Sequence, residues 1–223
     1  IQFCEKYCQY VDEGYTDVIH VPINRSGSST YNNAVMAQGM LREERPEHHL
    51  NIHLLDPHTY SMVFGWYLCE MARKLQNGAE LRHVISEFES QMDKMEIILG
   101  PYSLKQMKKS GRISAAAAVM GELMGIRPII TLIDGKTKVE SKVRGDDKVI
   151  PAMIDLCKKR AEGVEDFDYM IGHTSIPQAA ELEKACRKAF GKAPLTTFNL
   201  GGVVSANTGP DTLALVYVGK PRD

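Results

Sequence analysis

Residues 100–145 read GPYSLKQMKKSGRISAAAAVMGELMGIRPIITLIDGKTKVESKVRG, and the architecture is most legible there. Leu104 to Lys109 is a short amphipathic segment that stops at Ser110-Gly111, where glycine permits backbone angles closed to other residues. Arg112 follows at once and is positioned by that turn. Ser114 is placed to cap a helix running through Gly125, with Glu122 in its last turn. The first half of that helix, Ala115 to Ala118, has almost no side-chain bulk, and the second carries Val119, Met120, Leu123 and Met124. Pro128 excludes further helix and opens the apolar run Ile129 to Ile133. Asp134-Gly135 is a hairpin signal into the alternating strand Lys138 to Arg144. A fixed cation thus stands beside a small-residue helix and an apolar strand, with room for something apolar. The same residues also suit a helix packed closely on a sheet, with Arg112 bonded to loop carbonyls.

The 223 residues suffice for one large or two modest domains. With 43% hydrophobic and 25% charged residues, the composition is that of an ordinary soluble domain. A formal net charge of -1 argues against nucleic acid or an anionic membrane as the main partner. No apolar run approaches the ~18 residues a membrane helix needs, and no signal peptide is visible. Cys4, Cys8, Cys69, Cys157 and Cys186 lack CxxC spacing, which fits reduced thiols and a cytoplasmic location. Cys4 and Cys8 are one helical turn apart, but no nearby pair completes a tetrahedral metal site. All five read as core or surface thiols.

Taken in order, Phe3, Tyr7 and Val11 mark one face of an opening helix. Asp17 to Ile23 reads as a buried parallel strand with His20 as a packed core residue. The loop Asn24 to Tyr31 leads into a helix near Thr30. A strand, a hydroxyl-rich loop and a helix N-terminus suit an anion, although a plain serine or threonine cap explains the same residues. Leu50 to Asp56 is the next strand. His48, His49, His53 and His58 are numerous enough for a metal site but wrongly spaced for one. Helices are expected over Thr59–Gln76 and Ala79–Met92 around Asn77-Gly78, with Trp66, Tyr67, Met71 and Leu75 as core. A strand follows at Lys94–Leu99. Asp146 is placed to cap a helix through Ala161. A strand at Phe167–Gly172, a helix at Gln178–Phe190 and a strand at Leu195–Leu200 complete the alternation. His173 falls at a strand's C-terminal end, where α/β proteins place functional groups.

The central stretch resembles the middle of the DegV family, bacterial two-domain proteins that bind long-chain fatty acids. The family pattern L-x-x-L-x-K-G-G-R-I-S, then I-K-P-I-L, x-D-G and K-x-R-x, stands here as Leu104, Met107, Lys109-Ser110-Gly111-Arg112-Ile113-Ser114, Ile126-Arg127-Pro128-Ile129-Ile130, Asp134-Gly135 and Lys142-Val143-Arg144. The likeness continues in both directions. The family's S-S-x-L-S-G-T-Y-Q-S-A loop aligns with Ser28, Thr30, Tyr31 and Ala34, with Gly27 in place of leucine and Ser29 in place of glycine. Asn24-Arg25 replaces the leading serines. The family's G-x-V-I-G-A-H-T-G-P-G-x-L-x-L aligns with Gly202, Val203, Ala206, Thr208, Gly209, Pro210, Leu213 and Leu215, with Asn207 in place of histidine and Asp211 in place of glycine. Relative to that family, the opening strand and its T-S-Q-P-type loop are missing, so the N-terminal domain is expected to be truncated.

The resemblance implies two α/β domains with mainly parallel sheets, residues 1–97 and 98–223. It implies a fatty acid held between them. Ser28, Thr30, Arg112, Asn207 and Thr208 would surround the carboxylate, and Met107, Ile113, Val119, Met120 and Leu123 would line an acyl tunnel in the second domain. Methionine suits a tunnel that accepts variable chains. An acyl chain of ~14 methylenes at about 0.8 kcal/mol each gives on the order of 10 kcal/mol gross, so the tail supplies most of the affinity. Asn207 can donate a hydrogen bond but carries no charge. The resemblance further implies a carrier that presents the carboxyl group to a separate fatty acid kinase, with Arg144 at the docking position. No cofactor is expected. The alternatives are a binder of another small amphipathic ligand, or a hydrolase built on Ser28 with His173 or Asn207. The chain has no G-x-S-x-G elbow and no carboxylate visibly placed to orient a base, so no enzyme is expected.

Overall fold

Apolar residues on one face of the opening helix organise the first part of the chain. In α1 (Gln2–Asp12), Cys4, Tyr7 and Cys8 are buried, with Phe3 and Val11 packed beside them. β1 (Asp17–His20) follows, and α2 (Thr30–Glu44) crosses over to β2 (Asn51–Leu54). β1 and β2 pair in parallel, as a helical crossover requires. Ala37 and Leu41 of α2 join Leu50 and the α1 residues in one core cluster. His20 is half-buried with its ring edge-on to Phe3, and its Nδ1 lies 2.5 Å from the Tyr7 hydroxyl. Burial lowers the His20 pKa and raises that of Tyr7 to about 12, so the phenol donates and the neutral imidazole accepts. His20 is therefore a half-buried histidine held by Phe3 and Tyr7, and β1, expected to be buried, is exposed at Asp17 and only partly covered over residues 18–20.

The computed structural model describes residues 1–111, 125–165 and 167–221. Arg112, Ile113, Val119, Met120 and Leu123, with the helix expected from Ser114, lie outside the described residues. The chain divides into two compact units, Ile1–Tyr60 and Ser61–Asp223. The division falls ahead of the helical pair rather than at the expected residues 97/98.

The second unit begins with α3 (Met62–Gln76) and α4 (Leu81–Met92), separated by Gly78 at φ 84. Positive φ angles at His58 (54) and Ser61 (61) delay α3 to Met62, three residues beyond the expected start. After β3 (Met95–Pro101), α5 (Lys105–Ser110) ends on left-handed Gly111, φ 64, where the amphipathic pattern stops. β4 (Ile126–Ile133) and β5 (Lys136–Arg144) form a hairpin. Its Asp134 and Gly135 both have positive φ, 49 and 71, the geometry that an Asp-Gly pair favours. Then come a 3₁₀ turn (Asp146–Lys148), α6 (Val149–Arg160), β6 (Tyr169–His173), α7 (Gln178–Phe190), β7 (Thr197–Asn199), α8 (Gly202–Thr208) and β8 (Thr212–Val218). Asp146 does not cap α6, because its carboxylate accepts from Arg127 Nε at 2.8 Å.

The six-stranded sheet has the order β5-β4-β3-β8-β6-β7. Four of its five pairings are antiparallel, and β6–β7 is parallel. The architecture is mixed α/β, but the expectation of mainly parallel sheets is overturned here. Continuous apolar runs such as Leu213 to Val218 signify burial on both faces, which central antiparallel strands also achieve. β3 and β8 are buried along their whole length. Ile98, Ile129, Ile171, Leu213 and Leu215 share a core with Met153 and Cys157 of α6 and Leu182 and Cys186 of α7. A Cβ on Gly100 would lie 2.4 Å from Met153 Sδ, so only glycine lets α6 approach this closely.

Glu96 stands on that same face. It receives Arg160 Nε at 2.5 Å, Arg160 Nη2 at 3.1 Å and the Tyr217 hydroxyl at 2.5 Å. The carboxylate therefore ties β3 to β8 and to the last turn of α6. Tyr217→Phe removes one donor from this buried acceptor, and a loss of about 2 kcal/mol is expected, on the scale of hydrogen bonds to charged groups. Urea unfolding measures it. A second expectation concerns alkaline pH. Burial raises Tyr67, Tyr102 and Tyr169 from 10.0 to about 12, and Tyr217 rises further. A raised folded pKa stabilises fully below the unfolded value, and that contribution disappears as pH climbs through the folded value. The unfolding midpoint should fall as pH rises from 10.0 toward 12, less steeply in Tyr169→Phe. A flat midpoint over that window contradicts the assignment.

Candidate functional site

The loop between β1 and α2 is held by its own polar groups. Asn24 is buried, and its Oδ1 accepts from the Ser26 amide and the Ser26 hydroxyl, both at 2.7 Å. The backbone donor fixes which end of the amide is oxygen, so Nδ2 is the remaining end. That nitrogen is buried without a hydrogen-bond partner, the one such side-chain atom among the described residues. The Ser28 and Thr30 hydroxyls lie 2.7 Å apart, and the Thr30 amide donates to Ser28 Oγ at 3.2 Å. Both residues are half-buried at the start of α2, whose N-cap Ser29 makes no side-chain capping bond. Asp56 braces the loop from the end of β2, with Oδ1 accepting from the Arg25 amide at 3.3 Å and the His58 amide at 3.0 Å. The Arg25 guanidinium stacks over the Tyr31 ring, 5.1 Å from its centre. The loop thus carries two hydroxyls and a buried, unpartnered amide nitrogen at a helix N-terminus, groups of the kind that can donate to an anion.

Gly27 shows how the departure from leucine at that position is accommodated. A Cβ there would lie 1.9 Å from the Tyr60 hydroxyl, so the tyrosine occupies the side-chain space.

In the second unit, Asn207 and Thr208 close α8, so this expected loop begins as a helix. Asn207 Nδ2 donates to Val203 O at 2.8 Å, one turn back, which engages one of the two hydrogens of the donor expected to face a ligand. Thr208 is buried, and its carbonyl accepts from Thr212 Oγ1 at 3.0 Å. Gln106 of α5 donates to Ala206 O at 2.6 Å and lies 3.2 Å from a Cβ built on Gly209, so α5 and α8 pack together. Met107, on the same short helix, is fully buried. Arg144 is exposed at the end of β5.

The structure thus groups Ser28 with Thr30 in the first unit and Asn207 with Thr208 in the second. Asn24 is the functional candidate that sequence reasoning passed over. Its signal was an asparagine where the aligned family motif has serine. His173, proposed for a hydrolytic site, uses Nδ1 to accept the Ser175 amide at 3.0 Å. Three of the four clustered histidines engage separate partners. His53 pairs with Asp17 at 2.9 Å and holds that carboxyl below its usual range. His48 accepts the Leu50 amide at 3.1 Å, and His58 lies 3.8 Å from Asp56. Clefts of about 500 Å³ between α3 and α4, and about 320 Å³ beside Gln38, His48 and His53, contain none of the expected site residues.

The sequence profile described as "Uncharacterised protein, DegV family" matches residues 1–220. The chain belongs to the DegV family. A DegV domain-containing protein of Staphylococcus aureus strain COL is 28% identical over 224 residues, covering 98% of this chain and 75% of that protein. The fold superposes on a stearic acid-binding protein from Eubacterium ventriosum with a TM-score of 0.85 at 21% identity, over 98% of this chain and 75% of the other. A fatty acid binding DegV family protein from Streptococcus agalactiae gives 0.82 at 26% identity, over 98% and 76%. Among the described residues, no helix of this DegV protein is long and apolar enough to cross a membrane.

The Gly27–Tyr60 contact can be tested in this DegV chain directly. Gly27→Ala should cost about 1–3 kcal/mol, the range for overpacking. The cost should shrink when Tyr60→Ala opens the space, and a double-mutant cycle in urea reads the coupling. Independent, additive costs would show that the ring does not occupy that volume.

Proposed function

We propose that this DegV chain binds a long-chain fatty acid and presents its carboxylate to a separate fatty acid kinase, acting as a carrier rather than a catalyst. The observation that carries the head-group part is the buried Asn24 Nδ2, a donor with no protein partner, in the same loop as the paired Ser28 and Thr30 hydroxyls. A buried amide nitrogen without an acceptor is costly, and a bound carboxylate would relieve that cost. Family membership and the fatty-acid ligands named for the related proteins support the lipid assignment. On this reading Ser28, Thr30 and Asn24 meet the carboxylate, and Arg112 and Thr208 add to its surroundings. Met107, Ile113, Val119, Met120 and Leu123 line the acyl path, and Arg144 meets the kinase. Asn207, already bonded to Val203, contributes less than the family's histidine.

Solvent extraction of the purified protein followed by mass spectrometry should return a long-chain fatty acid. Titration with a fluorescent fatty acid should show Ser28→Ala weakened by about 1–3 kcal/mol, the scale of a hydrogen bond to a charged group. Asn24→Asp keeps both acceptor bonds to Ser26 but replaces the donor with a second acceptor, and should weaken binding more than Ser28→Ala does. Absence of lipid together with absence of titratable binding would refute the reading. Unchanged affinity in both variants would remove the loop from the site.

A further inference from the structure

Cys4 and Cys8 project from α1 one turn apart, and Glu44, the last residue of α2, meets both. Glu44 Oε1 lies 3.7 Å from Cys4 Sγ, and Oε2 lies 3.5 Å from Cys8 Sγ. One ligand atom from each residue can be chosen so that all three lie within 4.8 Å of one another, and this is the one such metal-capable trio among the described residues. Both thiols are buried, whereas the carboxylate is exposed, so an ion could arrive from the Glu44 side. We propose that Cys4, Cys8 and Glu44 bind a borderline-soft divalent cation of the zinc class, with a solvent molecule in the fourth position.

The thiol-to-carboxylate distances are close to the edge of a coordination polyhedron. With a metal–sulfur bond of about 2.3 Å and a metal–oxygen bond of about 2.1 Å, a tetrahedral edge between S and O spans about 3.6 Å. The two observed separations, Cys4 Sγ to Oε1 and Cys8 Sγ to Oε2, lie near that value, so a carboxylate turned to offer one oxygen to the ion stands within a modest adjustment of both sulfurs. The same spacing serves two thiol-to-carboxylate hydrogen bonds in the metal-free protein. Binding then replaces two S–H protons, released to solvent, with two metal–thiolate bonds. Thiolates select against magnesium and calcium, which prefer all-oxygen sites. Glu44 also stands at the C-terminal end of α2, the negative end of the helix dipole, which favours a cation. The nearby cation, Arg45, faces Asp12 at 3.8 Å and donates to the Glu44 carbonyl at 3.3 Å, leaving the carboxylate to the sulfurs. The site is independent of the fatty-acid assignment, because it uses the α1–α2 core rather than the loop before α2.

The test is anaerobic titration of the reduced full chain with Co²⁺ alone, read by absorption. One equivalent should produce a thiolate-to-cobalt charge-transfer band in the near ultraviolet and the intense visible bands of a tetrahedral ion, and Zn²⁺ should abolish both by displacement. Glu44→Gln, an exposed change that leaves the core intact, should raise the apparent Kd by at least about tenfold, the lower end of what even an outer-shell change costs. Cys4→Ser with Cys8→Ser should lose the charge-transfer band, and Cys69→Ser, at an exposed thiol, should keep it. Absence of the band in the unaltered protein would overturn the proposal. So would a band that survives the double serine variant, or one that disappears with Cys69→Ser. Because the first reading uses the unaltered protein, misfolding of a variant cannot mask the answer.

Discussion

The second unit depends on the pairing of β3 with β8. Seven consecutive residue pairs, Met95 with Val218 through Pro101 with Thr212, join these strands at the centre of the sheet. Every residue of both strands is buried, and every other strand of the sheet adds outward from this pair. Glu96 concentrates the constraint. A carboxylate so buried is tolerable only because a guanidinium and a phenol both donate to it. Those donors come from α6 and β8, so the polar contact that satisfies the charge also sets where the helix ends against the sheet. The core around Ile98, Met153 and Leu215 then closes within a frame that this contact defines.

Much of this was legible wherever a local rule coincided with a tertiary need. The helix Gln178–Phe190 matches its periodicity residue for residue, because nothing at its ends competes with the pattern. The Asp134-Gly135 hairpin and the stop at Gly111 follow from backbone angles that few other residues adopt. Strand direction was not legible. An apolar run reports that both faces are covered, not which way the neighbour runs, and the hydrogen-bonded order β3-β8-β6 brings together segments far apart in sequence. Helix starts slipped for a related reason: Asp146 has the chemistry of a cap but found a stronger partner in Arg127.

The candidate site divides along the same line. Ser28 and Thr30 were named through the family motif, on a hydroxyl-rich loop that an ordinary helix cap also explains, and their mutual hydrogen bond keeps them adjacent. Asn24 was obscured because its significance lies in an absent partner, which no motif records. Gly27 read as a departure until Tyr60, from the far end of the unit, was seen to fill the space. Asn207 read as a loop donor, whereas its position on α8 turns the amide back onto Val203. Cys4 and Cys8 lacked a visible partner because Glu44 is 36 residues further along the chain than Cys8.

The place of β8 in the chain has a consequence for synthesis. Tyr217 and Glu96 are partners 121 residues apart, and β8 is translated after every other strand of its sheet. A nascent chain can form the β4–β5 hairpin and the intervening helices early, since those contacts are local. The apolar edge of β3 must wait, unpaired, until β8 leaves the ribosome. Throughout that interval it is a sticky template of the kind that recruits chaperones or neighbouring chains. The interval before β8 pairs is therefore when this sheet is most open to such encounters.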